Sequence, residues 1–290
     1  MKRRALLAAA ALAATGASAA TPGLDATGFV EVGDTVVDML DACGLALASW
    51  AMSGAAQVGP RPAAFGPPRA VPRSEPFEAA CPGGGSVRGR FVDRDASGDL
   101  SVQDRFVTVF DDCRVDGEVV TGSSDFVVAA RREDGREDVV ELDFRFHDLG
   151  SAAMRWTGAA RIALATDRRS GAERYVVAWR DLLVQRGARS YRLGLQLEAR
   201  VPPLGDMTMR VDGPMWIGTL ALKLAQDEPF VMAPGSPPRT GLLTASDARG
   251  ARLQVEAGRW RYAYRYFARG NAGVVPDSSS QSEPHSRRGP

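Results

Sequence analysis

Histidine is scarce in this chain. There are 2 in 290 residues, His147 and His285. A zinc centre built on imidazole has almost nothing to draw on. A Ser-His-Asp hydrolase would have to rest on His147, because His285 falls in a polar tail. Neither a Gly-x-Ser-x-Gly elbow nor a P-loop occurs. Lysine is nearly missing too, at Lys2 and Lys223 only, so arginine carries the positive charge. The arginines alternate with Asp and Glu, and the formal net charge is +1. A nucleic-acid partner needs a concentrated basic face, which this pattern does not supply. Beyond the first residues no stretch of about 18 apolar residues occurs, so no transmembrane helix is expected.

The exception to the missing apolar runs is the start, MKRRALLAAAALAATGASAATPG. Lys2, Arg3 and Arg4 precede the short apolar run Ala5 to Ala14. Ala17-Ser18-Ala19 then offers the small residues that a signal peptidase accepts. Residues 1–19 read as a secretory signal peptide, which places the mature chain in the periplasm or outside the cell. No Cys follows the run, so a lipid anchor is not expected. Of the 3 cysteines, Cys81 and Cys113 bracket an acidic loop and the two strand-like runs beside it. If Val92 faces Arg105 across a hairpin, Cys81 and Cys113 fall within a few residues of opposite each other. Export permits disulfides, and these two form the natural pair. Cys43 sits on an apolar helical face and reads as a buried thiol, or less simply as an intermolecular partner.

Residues 20–57 form an N-terminal helical segment. Val36, Leu40, Cys43, Leu47 and Trp50 recur at spacings of 3 and 4, which predicts a helix over 34–53 capped by Asp34 or Thr35. Residues 58–79, rich in proline, read as an extended linker. From there to residue 270 the period is two. Val140, Leu142, Phe144 and Phe146 share one face, and Tyr191, Leu193, Leu195 and Leu197 share another. Trp260, Tyr262, Tyr264 and Tyr266 follow the same rule. The breaks EDGRE, TDRRSGA, QRGAR, VDGP and DARGA read as hairpin turns. The expected fold is mainly β: a long antiparallel meander forming a barrel or half-barrel, with one N-terminal helix. Residues 271–290 are polar and expected to be disordered.

The stretch DRDASGDLSVQD, residues 93–104, carries the clearest chemistry. Counted from Asp93, it places Asp93, Asp95, Ser97 and Asp99 at positions 1, 3, 5 and 7, and Asp104 at 12. Gly98 takes position 6, where calcium loops of the EF-hand type turn sharply. Position 12 is Asp instead of the usual Glu, and both flanks are strand-like, so the loop sits in a β-hairpin and not in an EF-hand. Hard carboxylate oxygens suit Ca²⁺ in a structural role. The alternative is an Asp/Ser/Gly turn without metal.

CPGGGSVRGRFVDRDASGDLSVQDRFVTVFDDC resembles a family of uncharacterised exported proteobacterial proteins in which cysteines bracket a DxDxxGxLSxxD loop between two strands. VDGEVVTGSSDFVV and GLLTASDARGARLQVEAG are similar to that family as well. Where its members continue with a Gly/Asp-rich turn, this chain has WRYAYRYFARGN. The resemblance implies an exported β-rich protein and supplies no activity.

Three kinds of role follow. A barrel or half-barrel can shelter a hydrophobic or lipid-like ligand, and the residues placed to line it are Trp50, Trp156, Trp179, Trp260, Tyr262 and Tyr264. The same stripes can equally fill a core, leaving an envelope-associated structural or docking module. Arg259, Arg261, Arg265 and Arg269 could then meet an acidic surface, or be solvated. Catalysis is the weakest reading, although Glu141 and Asp143 share one strand face, as paired carboxylates of glycosidases must share a cleft.

Overall fold

The computed structural model describes residues 24–40, 73–98, 100–115, 117–233, 238–258, 261–270 and 278–282. The signal-like segment, Cys43, Trp50, Asp99 and Trp260 lie outside the described residues, as does the linker before residue 73.

Among the described residues one helix, α1 (29–40), precedes the strands. These are β1 (Arg73–Ala80), β2 (Ser86–Asp93), β3 (Arg105–Val115), β4 (Glu118–Glu133), β5 (Glu137–Gly150), β6 (Arg155–Asp167), β7 (Glu173–Arg186) and β8 (Arg189–Leu193). Then come β9 (Gln196–Val201), β10 (Met207–Ile217), β11 (Leu220–Met232), β12 (Thr240–Asp247), β13 (Arg252–Ala257), β14 (Tyr262–Phe267) and β15 (Ser278–Ser282). All belong to a single antiparallel sheet in sequence order. The one departure is that β8 and β9 share a lane between β7 and β10. β1 and β15 are the edges, and no pairing joins them among the described residues. The sheet is therefore an open meander of half-barrel form.

One face of the sheet is apolar and must be hidden. Leu193, Leu195, Leu197, Met209, Met215, Leu222, Leu224, Tyr262 and Tyr264 are all under 2% exposed. They join one core with Val36, Val37, Met39 and Leu40 of α1. This apolar contact with the sheet holds α1 in place. Fully burying each such side chain contributes about 1.5–3 kcal/mol.

α1 begins earlier than its apolar spacing predicts. Asp25 is the cap: its backbone carbonyl accepts from Phe29 N at 3.1 Å, and its Oδ1 accepts from Thr27 N and Gly28 N at 2.9 and 2.7 Å. Asp34 and Thr35, expected as caps, sit inside the helix. Asp34 Oδ1 accepts from the Tyr264 hydroxyl at 2.9 Å, and Thr35 Oγ1 donates back to Glu31 O at 2.8 Å.

Three other boundaries differ from expectation. β1 occupies Arg73–Ala80, all but Ala80 of it inside the stretch read as linker. Its Pro76 is tolerated because β1 is an edge and one side of it needs no N–H. VDGP is not a hairpin turn; β10 runs through it, with a register shift between Met209 and Gly213, and the chain reverses after Ile217. Residues Ser278–Ser282, expected to be disordered, pair with β14 as β15. Pairing at an edge uses backbone groups, which a serine-rich segment has as much as any other.

Candidate functional site

β2 and β3 form the hairpin that carries the acidic loop. Their register pairs Val92 with Arg105, as the sequence suggests. The disulfide Cys81–Cys113 closes the far end, with Cα atoms 5.4 Å apart. At the loop end, Asp93 and Asp104 are buried at 3% and 0% exposure, and Asp95 is exposed. These three carboxylates each place an oxygen within 4.8 Å of the others. Asp99 lies outside the described residues.

Backbone amides shape the loop. Asp93 accepts from Ser97 N at 3.2 Å and Gly98 N at 2.9 Å. Asp95 accepts from Ser97 N at 3.0 Å. Asp104 accepts from Arg94 N at 2.8 Å, and from Ser101 N and Oγ at 2.7 and 3.1 Å. Gly98 takes a φ of 82°, the left-handed turn the loop requires at that point. Each carboxylate has about four lone-pair positions, so acceptor capacity for a cation remains.

Electrostatics bear on both the metal-bound reading and the plain turn. No cationic side chain forms an ion pair with Asp93, Asp95 or Asp104 among the described residues. Arg131 donates to Leu100 O at 2.5 Å and pairs with Glu133 and Asp138. Burial pushes the Asp93 carboxyl above the usual range, while the hydroxyl of Ser97 holds Asp95 below it. Buried charges are ordinarily paired or bound to metal. The donor set fits Ca²⁺, which takes oxygen ligands from carboxylates and carbonyls.

The aromatic residues divide into two groups. Trp179, Tyr262 and Tyr264 are buried in the core, and Trp156 packs against it. Tyr264 lies beneath α1: a Cβ added to Gly33 would come within 2.9 Å of its ring. These side chains fill the cup together with the helix. Trp50 and Trp260 lie outside the described residues.

A second group was not singled out from the sequence. Phe77, Phe106, Phe126, Phe144 and Phe146 form a continuous row, with successive ring centroids 4.9–5.9 Å apart. The row crosses from edge strand β1 to β5 and ends on Trp156 and Trp179. Phe91 joins it beside Phe106. Phe144 and Phe146 are buried, whereas Phe77, Phe91, Phe106 and Phe126 are half-exposed. The signal was available: the Val92–Arg105 register also sets Phe91 opposite Phe106. Gly89 makes room for the row, since the Phe77 ring lies over it where a Cβ would stand.

The polar face accounts for the remaining candidates. His147 Nε2 is 3.0 Å from Asp125 Oδ1, which shares its carboxylate with Arg105. Ser123 lies opposite His147 in the ladder, and His147 is exposed. Glu141 is bound by Arg161 at 2.7 Å, and Asp143 faces the same arginine in register. Arg265 is paired with Glu256. Among the described residues no helix is long and apolar enough to cross a membrane. No protein-family model, no curated protein and no solved structure matches this chain.

Proposed function

We propose that this chain is an exported β half-barrel that shelters a hydrophobic, acyl-chain-like ligand along its aromatic row, with a calcium-held hairpin at one end of that row. The observation carrying this reading is the continuation of the row from buried Phe144 and Phe146 to half-buried Phe126, Phe106 and Phe77 along one sheet face. Neighbouring strands are about 4.8 Å apart, so the row from β1 to β5 offers an apolar track of about 19 Å. That length accommodates a long acyl chain without opening the core. The disulfide and the signal-like start are compatible with an oxidising, exported setting. Calcium would have a structural role, neutralising Asp93, Asp95 and Asp104, with Ser97 and Asp99 as further ligands by their loop positions.

The test is native mass spectrometry of the mature chain expressed in an oxidising compartment, before and after organic extraction and chelation. A retained lipid-sized mass, lost on extraction and absent from a Phe106→Asp variant, supports the carrier. An apo or calcium-only mass overturns it.

A second reading is favoured by the filling of the cup. Met39 and Val36 are fully buried against Tyr264 and its neighbours, which is what a structural or docking module of the envelope needs. On that reading the row of phenylalanines meets a protein partner, and the same spectra show no small ligand.

A further inference from the structure

We propose a saccharide-binding site on the outer face of the sheet, in the cleft where β8 gives way to β9. The cleft has a volume of about 470 Å³ and lies between β7 and β10. Its origin is local. β8 ends at Leu193 and β9 starts at Gln196, and the two intervening residues keep the lane connected by single bonds. Gly194 N donates to Pro214 O at 3.0 Å, and Trp179 N donates to Leu195 O at 2.8 Å. Glycine inside a strand marks a bulge or a place of close approach. At Gly194 a Cβ would stand 3.1 Å from the Trp216 ring. The Trp216 and Pro214 rings occupy the space a side chain at Gly194 would take, so the small residue of the floor is Ala178.

The walls are polar and planar. Ala178, Gln196 and Asp212 are register partners across β7, β9 and β10. Glu198 and Arg210 face each other one step along. Glu198 is held by Arg200 at 3.0 Å, and Asp212 Oδ1 accepts from Gln226 N at 3.3 Å. Arg210 is exposed and forms no ion pair or hydrogen bond among the described residues. One free guanidinium, one amide and two carboxylates with spare lone pairs therefore surround a small apolar floor.

That composition selects a class of ligand. Glu198 and Asp212 repel phosphates and carboxylates, and Arg210 opposes a cation. A neutral molecule that both donates and accepts at neighbouring atoms satisfies all four groups. The vicinal hydroxyls of a pyranose do this, and its C–H face can rest on Ala178. The volume lies within the range of about 300–1,000 Å³ typical of small-ligand sites.

The experiment is saturation-transfer NMR on the full mature chain with maltose, cellobiose and chitobiose at millimolar concentration. At least one disaccharide is expected to bind. Arg210→Ala, a surface change that leaves the ladder intact, is expected to weaken it by about tenfold. Ala178→Trp, which fills the cleft from the floor, is expected to abolish it, with the melting temperature confirming the fold. Arg174→Ala, outside the cleft, should leave binding unchanged. Absence of transfer to all three sugars overturns the proposal, as does binding that survives Ala178→Trp. Displacement of the sugar by inorganic phosphate also overturns it, because it would show an anion site at Arg210.

Discussion

Asp38 of α1 and Arg189 of the β7–β8 hairpin meet at 3.0 Å, with the carboxylate only 4% exposed. Arg186 reaches the other oxygen at 3.1 Å. The two arginines remain 26% and 37% exposed, so they stay partly hydrated while Asp38 does not. The asymmetry makes a prediction. Asp38→Ala removes the buried charge and lets the arginines turn to solvent, costing about 1–2 kcal/mol. Replacing both arginines by Met strands Asp38 and costs about 3–5 kcal/mol. Urea denaturation of the three proteins checks the order. Equal losses would mean that the ion pair does not anchor the helix.

The acidic loop predicts a calcium effect on stability whose size depends on pH. Burial raises the Asp93 carboxyl pKa, with the charges of Asp104 and Asp95 adding to that. A raised carboxyl favours the folded state while protonated, and this contribution is lost as pH rises from the ordinary range through the raised value. Bound calcium would offset that loss by pairing with the ionised form. The melting temperature with calcium minus that with chelator should therefore grow as pH rises out of the acid range. At a free calcium concentration of 100 times Kd the gain is about 2.7 kcal/mol. Asp104→Asn should shrink it strongly, since Asp104 is the fully buried member of the cluster. Scanning calorimetry in calcium and in chelator is the check; no difference at any pH would leave the plain turn as the account of this loop.

Much of this molecule is legible from alternation. The period of two across Val140–Phe146 and Tyr191–Leu197 reflects burial of one sheet face. The Val92–Arg105 register, and with it the nearness of Cys81 to Cys113, follows from a hairpin whose two arms are similar in length. What was not legible has particular causes. Asp34-Thr35 resembles a helix cap as well as Asp25 does; the Asp25 bonds and the burial of Leu24 and Phe29 together extend the element back. Asp212-Gly213 has turn chemistry, but here Gly213 serves a register shift, at φ 127°, where a Cβ would lie 2.7 Å from Leu195 Cα. Pro76 and the serines of β15 carry no strand preference and are recruited by neighbouring edges. The phenylalanine row escapes a one-dimensional reading because its members come from separate strands.

Gln226 is the side chain that repairs the sheet at that shift. Its Oε1 accepts from Val211 N at 3.2 Å, and its Nε2 donates to Leu242 O at 3.1 Å and Glu228 O at 2.5 Å. β10 and β12 both lose regular ladder partners there, because β11 shifts register on each side. Gln226→Leu keeps the size and removes all three bonds. Each unsatisfied backbone group costs about 1–3 kcal/mol, so the variant is expected to lose about 2–4 kcal/mol. Gln254→Leu, on the outer face of β13, is expected to stay within about 0.5 kcal/mol of wild type. Denaturant midpoints measured side by side test whether position 226 is special.

The cap of α1 gives a titration with the opposite sign to Asp93. The Thr27 hydroxyl, then the backbone amides of Gly28 and Thr27, hold the Asp25 carboxyl below its ordinary value. A lowered carboxyl contributes stability that is complete above the unfolded value and fades as pH falls through the folded one. Near about pH 7, Asp25→Ala should cost about 1 kcal/mol, the usual loss for a helix N-cap. Towards about pH 2 the wild-type carboxyl is protonated and the gap between the two proteins should narrow. Asp25→Asn keeps an accepting oxygen without a charge, so it should track wild type at acid pH and show little pH dependence of its own. Because Leu24 N donates to Asp247 Oδ2 at 3.1 Å, the start of α1 is also tied to β12. Loss of the cap should therefore be read locally, by faster amide exchange at Phe29 and Val32, whose bonds to Asp25 O and Gly28 O close the first turn. Unchanged exchange at those two amides in Asp25→Ala would assign the start of the helix to its tertiary contacts and not to its cap.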